Sequence, residues 1–243
     1  MMTLPTTATA QKGAKLNLVM EGEGGANGAA VVWHPTYKIY YAGFAGNVAF
    51  PLEGFDAKGR HLFTVETGFD LRGLWYNPGT DRLEGNGYND AGWYYYKLAR
   101  SGEPTRTQVF VNGMAQPDAQ SVGSFDPEER LVYFLSGREV YALEVSSGTV
   151  VSSLELKVSS DTPYNWTTVQ YTGIAGRELL LLDYESGKAL FFDKETGRLT
   201  GKANLPADMP LYEAFNFSWA NGFLWLFDKD TRIWSAFKLK IKS

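Results

Sequence analysis

The chain contains no cysteine. Disulfides, thiolate metal centres and cysteine nucleophiles are therefore excluded. Histidine is almost as scarce, with only His34 and His61 among 243 residues. Their places in the repeat described below are expected to keep them apart. A histidine-based metal centre or a Ser-His-Asp triad then has no support, and both are read as packing or surface residues. No basic block is present. Net charge is −4 and charged residues make up 21%, so nothing is set to neutralise phosphates and nucleic-acid binding is not expected. No run approaches the roughly 18 apolar residues of a membrane span, and no basic amphipathic stretch suits a membrane surface. Residues 1–12 have neither a charged start nor a long apolar core, so they do not read as an intact signal peptide. Residues 1–14 are expected to be flexible.

What the chain does have is apolar and aromatic mass. Hydrophobic residues make up 44% and aromatics 15%, including seven Trp and fourteen Tyr. That suffices for a sizeable core, and it suits both packed sheets and aromatic binding surfaces.

The strongest signal is a repeat. Five short runs end in an aromatic residue: Ala30 to Trp33, Arg72 to Trp75, Val122 to Phe125, Thr168 to Tyr171 and Asn216 to Trp219. Turn-forming pairs follow at His34-Pro35, Asn77-Pro78, Asp126-Pro127, Thr172-Gly173 and Asn221-Gly222. The next apolar strand starts near Ile39, Leu83, Leu131, Leu179 and Phe223, a period of 44 to 48 residues. A second marker runs in phase. Hairpin glycines stand at Gly59, Gly102, Gly148 and Gly197, where a tight turn demands positive φ.

A period in the forties with several short strands per period predicts an all-β, five-bladed β-propeller with four-stranded antiparallel blades. One domain over 1–243 is expected, with blades at about 29–69, 70–114, 115–160, 161–206 and 207–243. The fifth repeat lacks a hairpin glycine and a fourth strand. The unassigned segment Leu16 to Met20, within 15–21, is expected to supply that strand and close the ring, which also removes two sheet edges. The alternative is two smaller β domains, but no Pro/Ser-rich linker interrupts the period. A six-bladed ring has too few residues.

Val140 to Gly148 and Leu190 to Gly197 resemble repeats of the quinoprotein-like and YVTN propellers, in which a strand runs into an Asp/Ser-x-x-Gly hairpin. The resemblance covers about two blades well. It implies the fold and no particular activity, because such propellers include enzymes, lectin-like binders and scaffolds. By the same analogy an extracytoplasmic, periplasmic or secreted location is expected.

In a propeller, the loop before each innermost strand shares a face with the loop between the second and third strands. This face is the expected binding face. Loops of the first kind carry Asp70, Arg72, Asp118, Gln120, Asn165, Trp166, Glu213 and Asn216. Loops of the second kind carry Asn86, Tyr88, Asn89, Asp183 and Asp228. The Gly85 to Gly92 loop is the longest, and its aromatic and amide groups suit a sugar, whose C–H faces a ring can cover while amides meet hydroxyls. Arg72 reads either as an anion clamp beside Asp70 or as a structural ion pair with Asp118 or Glu213. Two glycosylation sequons start at Asn165 and Asn216, both where strands are expected.

The expected function is a non-enzymatic, monomeric binding module for a carbohydrate or small polar ligand at the channel mouth. No cofactor is expected beyond a candidate axial Ca²⁺ held by the same carboxylates and amides. The alternatives are a carboxylate-dependent hydrolase or lyase of glycoside type, using a pair among Asp70, Asp118, Asp183, Glu213 and Asp228, and a protein-interaction scaffold.

Overall fold

The computed structural model of the protein describes residues 13–242. The expectation of flexibility for residues 1–12 lies outside the described residues. Ala14 packs against the core between the fourth and fifth blades.

Twenty strands form five antiparallel four-stranded sheets. The first sheet holds β2 (Asn27–His34), β3 (Ile39–Ala45), β4 (Pro51–Asp56) and β5 (His61–Glu66). The second holds β6 (Leu71–Asn77), β7 (Arg82–Gly87), β8 (Trp93–Leu98) and β9 (Pro104–Val111). The third holds β10 (Ser124–Asp126), β11 (Leu131–Ser136), β12 (Glu139–Glu144) and β13 (Val150–Glu155). The fourth holds β14 (Gln170–Tyr171), β15 (Leu179–Asp183), β16 (Lys188–Phe192) and β17 (Leu199–Asn204). The fifth combines β18 (Phe217–Ala220), β19 (Phe223–Asp228) and β20 (Ile233–Phe237) with β1 (Leu16–Val19), in the order β1-β20-β19-β18. The protein is a five-bladed β-propeller.

The N-terminal strand closes the ring. Leu16, Asn17, Leu18 and Val19 face Ala236, Ser235, Trp234 and Ile233. The chain is then pinned to the first blade: the buried Glu53 carboxylate accepts the backbone N–H groups of Glu21 (2.9 Å) and Gly22 (2.8 Å). Arg232 of the fifth blade donates to the carbonyls of Gly22 and Gly24.

The core is divided among the blade interfaces. Leu18, Val31, Tyr40, Phe44, Trp225 and Trp234 pack between the fifth and first blades. Leu52, Tyr41, Leu71 and Tyr94 fill the next interface, and three similar clusters fill the others. Each fully buried large apolar side chain contributes roughly 1.5–3 kcal/mol, so the sheets adhere through their faces. The inner strands are accordingly buried almost continuously, as in β3 and β15, because each of their faces meets a different blade, whereas the outer β5 alternates.

The four hairpin glycines all have positive φ, between 64° and 86°. Gly59 is also pressed against the closing strand: a Cβ there would lie 2.4 Å from the Asn17 carbonyl oxygen. At the opposite hairpins the left-handed residues are Lys38, Asp81 and Arg130 rather than glycine.

Candidate functional site

The five innermost strands, β2, β6, β10, β14 and β18, run the same way around the axis. The channel therefore has a loop mouth, where these strands begin, and an opposite end, where they finish.

At the loop mouth the central group is Arg72, which is 4% exposed. Its Nη1 donates to Asp70 Oδ1 (2.5 Å) and to the Leu71 carbonyl (2.9 Å), and its Nε donates to Gln120 Oε1 (2.9 Å). The Tyr88 ring lies 4.5 Å from the guanidinium carbon and the Phe215 ring 5.7 Å. Asp70 also accepts the Gly46 N–H (2.7 Å). The second, third and fifth blades thus meet on one cation, and Asp70 ties it to the first. The ion pair considered with Asp118 or Glu213 forms with Asp70 instead, because residues two apart along an extended chain share a face. Asp118 instead accepts the N–H of Gln120 (2.8 Å). The Glu213 side chain is exposed while its carbonyl accepts the N–H of Trp166 (2.9 Å).

The amides at this mouth are engaged in ties. Asn86 accepts Gly123 N–H (3.1 Å) and donates to Ser121 O (3.0 Å). Asn165 donates to Tyr212 O (3.0 Å) and Phe215 O (2.9 Å). Asn216 accepts Gly28 N–H (2.9 Å) and donates to Ala214 O (2.8 Å). All three are buried, so neither sequon presents its asparagine to solvent. They brace the rim by satisfying loop backbone groups that would otherwise be orphaned. The sequons lie outside strand interiors: Asn165 is in a loop, and Asn216 immediately precedes β18. Asp183 accepts the backbone N–H of Ser186 (2.9 Å) and its hydroxyl. Asp228 accepts the N–H groups of Asp230 (2.9 Å) and Thr231 (3.3 Å).

What the mouth leaves open is Tyr88 (39% exposed), Trp166 (45% exposed), Asn89, Asp118 and Glu213. Sequence reading misses Phe215, Tyr212 and Lys229 here. Lys229 Nζ sits 4.1 Å from the Tyr212 ring centre, and burial lowers its pKa against the opposing charge of Glu213. Residue type alone carries no signal for these three, although Lys229 falls in a loop of the expected kind. Among the described residues no three His, Cys, Asp or Glu side chains converge as metal ligands. The histidines stay apart: His34 packs among Tyr37, Tyr41 and Tyr76, and His61 faces Glu21 and Glu53.

The far end of the channel holds a cavity of about 200 Å³ to which all five innermost strands contribute. Its aromatic walls are Trp33, Trp75, Tyr76, Phe125, Tyr171 and Trp219. Five of these are the aromatic residues that mark the repeat. Between them, polar side chains tie neighbouring blades. Ser124 Oγ accepts Tyr171 N–H (2.8 Å), Gln170 Oε1 accepts Trp219 N–H (3.0 Å), and Ser218 Oγ accepts Val31 N–H (3.1 Å).

The comparisons with known proteins add the fold alone. No family model matches the chain, and no curated protein matches it. The Myxococcus xanthus glutaminyl cyclase structure is similar, with 12% identity and a TM-score of 0.61, over 94% of this chain and 98% of that one. A gluconolactonase from Xanthomonas campestris is also similar, with 12% identity and a TM-score of 0.53, over 90% and 88% of the two chains.

Proposed function

We propose that the protein is a non-enzymatic binding module that holds a carbohydrate or small polar ligand at the loop mouth. The observation that carries this reading is the platform built on Arg72. Its guanidinium is fixed by Asp70 and Gln120, and the half-open Tyr88 ring lies over it. A group held this way is ordered before the ligand arrives, which lowers the cost of binding. Trp166 offers a second exposed ring on the same face, and Asn89, Asp118 and Glu213 supply polar contacts at its rim. Rings that cover C–H faces beside groups that meet hydroxyls suit a sugar.

The hydrolase or lyase reading keeps one specific support. Asp118 and Glu213 are exposed carboxylates at this mouth, and both similar structures reported above are named as enzymes. Asp183 and Asp228 are less suited to that role because each closes a turn.

The test is a thermal-shift screen with monosaccharides and small polar metabolites on the protein and on Asp70→Ala, Trp166→Ala and Glu213→Ala. A ligand that raises Tm in the parent and loses most of that rise in Asp70→Ala and Trp166→Ala is the expected result. A response unchanged in all three variants would place the site elsewhere. Turnover of a ligand, abolished by Glu213→Gln, would instead establish the enzyme reading.

A further inference from the structure

We infer that the cavity at the far end of the channel is a second binding site, for a single neutral pyranose ring. It is distinct from the loop-mouth platform and does not depend on it.

Three properties of the cavity define the ligand. The first is charge. Every side chain lining it is uncharged. An ion drawn in would lose its hydration with no counter-charge in the wall. Lys194, 5.9 Å from the Tyr171 ring centre, is already paired with Asp126 (2.8 Å) and Glu129 (2.5 Å). The second is size. About 200 Å³ is below the roughly 300–1,000 Å³ of sites for drug-sized ligands, which leaves space for one ring.

The third is the set of hydrogen-bonding groups left over. Gln170 is 4% exposed, and its Oε1 is held by the Trp219 N–H. That bond identifies the oxygen end of the amide. The Nε2 pair of donors has no acceptor among the described residues, although the side chain lines the cavity. Ser124 Oγ receives the Tyr171 N–H, which leaves its own proton unassigned. Trp33 Nε1 likewise has no acceptor among the described residues. The other two indoles are taken, since Trp75 Nε1 donates to Glu84 (3.1 Å) and Trp219 Nε1 to Thr172 O (3.0 Å).

The cavity therefore presents free donors between aromatic faces, in a wall of no net charge. Its complement is a flat ring with C–H faces and several acceptor oxygens. A neutral pyranose has that chemistry.

The experiment uses the seven tryptophans. Trp33, Trp75 and Trp219 line the cavity, Trp166 stands at the loop mouth, and Trp93, Trp225 and Trp234 are core. Fluorotryptophan-labelled protein would be titrated by fluorine NMR with the methyl glycosides of glucose, galactose and mannose, and with glucuronate and glucosamine as charged counterparts. The expected result is a saturable shift of Trp33, Trp75 or Trp219 with a neutral glycoside, with binding of the charged counterparts weaker by about tenfold or more. Gln170→Glu keeps the acceptor for Trp219 N–H and removes the free donors, so it should weaken the glycoside at least tenfold. Trp33→Phe, which keeps a ring but removes the indole donor, should weaken it several-fold and guards against a folding defect in the first variant. Trp166→Ala should leave this titration unchanged. Failure of every neutral glycoside to move the cavity tryptophans would overturn the proposal, as would a shift confined to Trp166. Either result would leave the loop-mouth reading standing on its own test.

Discussion

At the scale of single residues, His34 shows what burial does to chemistry. Its side chain is fully buried, and neither ring nitrogen has a hydrogen bond. Tyr37, Tyr41 and Tyr76 surround it, and Asp81 lies 3.8 Å from Nε2. Burial lowers its pKa below the ordinary 6.5, and the Asp81 charge opposes this only in part. The folded state thus binds the proton less readily than the unfolded chain. The stability His34 contributes is full above about pH 6.5 and declines as pH falls below that value. His34→Phe breaks no hydrogen bond but adds volume to a filled site, so it should cost about 1–3 kcal/mol at pH 8. Urea melts at pH 8 and pH 5 should show the parent losing more stability than the variant, and equal losses would refute the assignment. The tyrosine-lined environment is not legible in the sequence, where His34 stands beside a turn-forming proline. The asparagines show the same limit. Asn86, Asn165 and Asn216 were readable as polar groups near the channel, but whether an amide meets a ligand or a neighbouring loop depends on backbone positions that residue type does not specify. Asn216 even adopts positive φ (63°) to make its ties.

At the scale of elements, the blades are joined by polar ties placed where strands end. Lys194, in the turn between β16 and β17, reaches across to Asp126, the last residue of β10, and to Glu129 in the turn that follows. Burial pulls the Lys194 ammonium pKa down, but the two carboxylates outweigh this and hold it above the ordinary lysine range. The Asp126 side chain is fully buried. Lys194→Met would leave it without a counter-charge, at a cost of about 3 kcal/mol, the lower end for a broken buried pair because Lys194 is partly exposed. Lys194→Met with Asp126→Asn should lose less than the two single variants together, because the second change removes the stranded charge. Chemical denaturation of the four proteins measures the difference, and strict additivity would contradict a coupled tie. The elements themselves were largely legible. Hairpin glycines recur in phase because a tight turn leaves little choice there. The lengths of the two- and three-residue inner strands β14 and β10 were not legible, since residue type does not say where a ladder stops.

At the scale of the whole molecule, ring closure decides where everything else lies. The missing fourth strand of the last repeat and the spare strand at the start of the chain could be matched by counting. The far cavity could not, because aromatic residues that look like punctuation in a linear repeat become neighbours only when five strands surround one axis. Both proposed sites lie on that axis and exist only if the ring is closed. Asn17 and Ser235 are register partners across the closing pair, and the serine hydroxyl donates to Asn17 Oδ1 (2.8 Å). Directly opposed residues in an antiparallel pair have Cα atoms about 4.5–5.5 Å apart, within the range a disulfide spans. Because the chain has no cysteine of its own, Asn17→Cys with Ser235→Cys would introduce its only two thiols. Mild oxidation should join them intramolecularly and raise stability by about 2–4 kcal/mol, reversed by reductant. Two thiols that stay freely reactive in the folded, oxidised protein, with an unchanged melting transition, would contradict the closed ring.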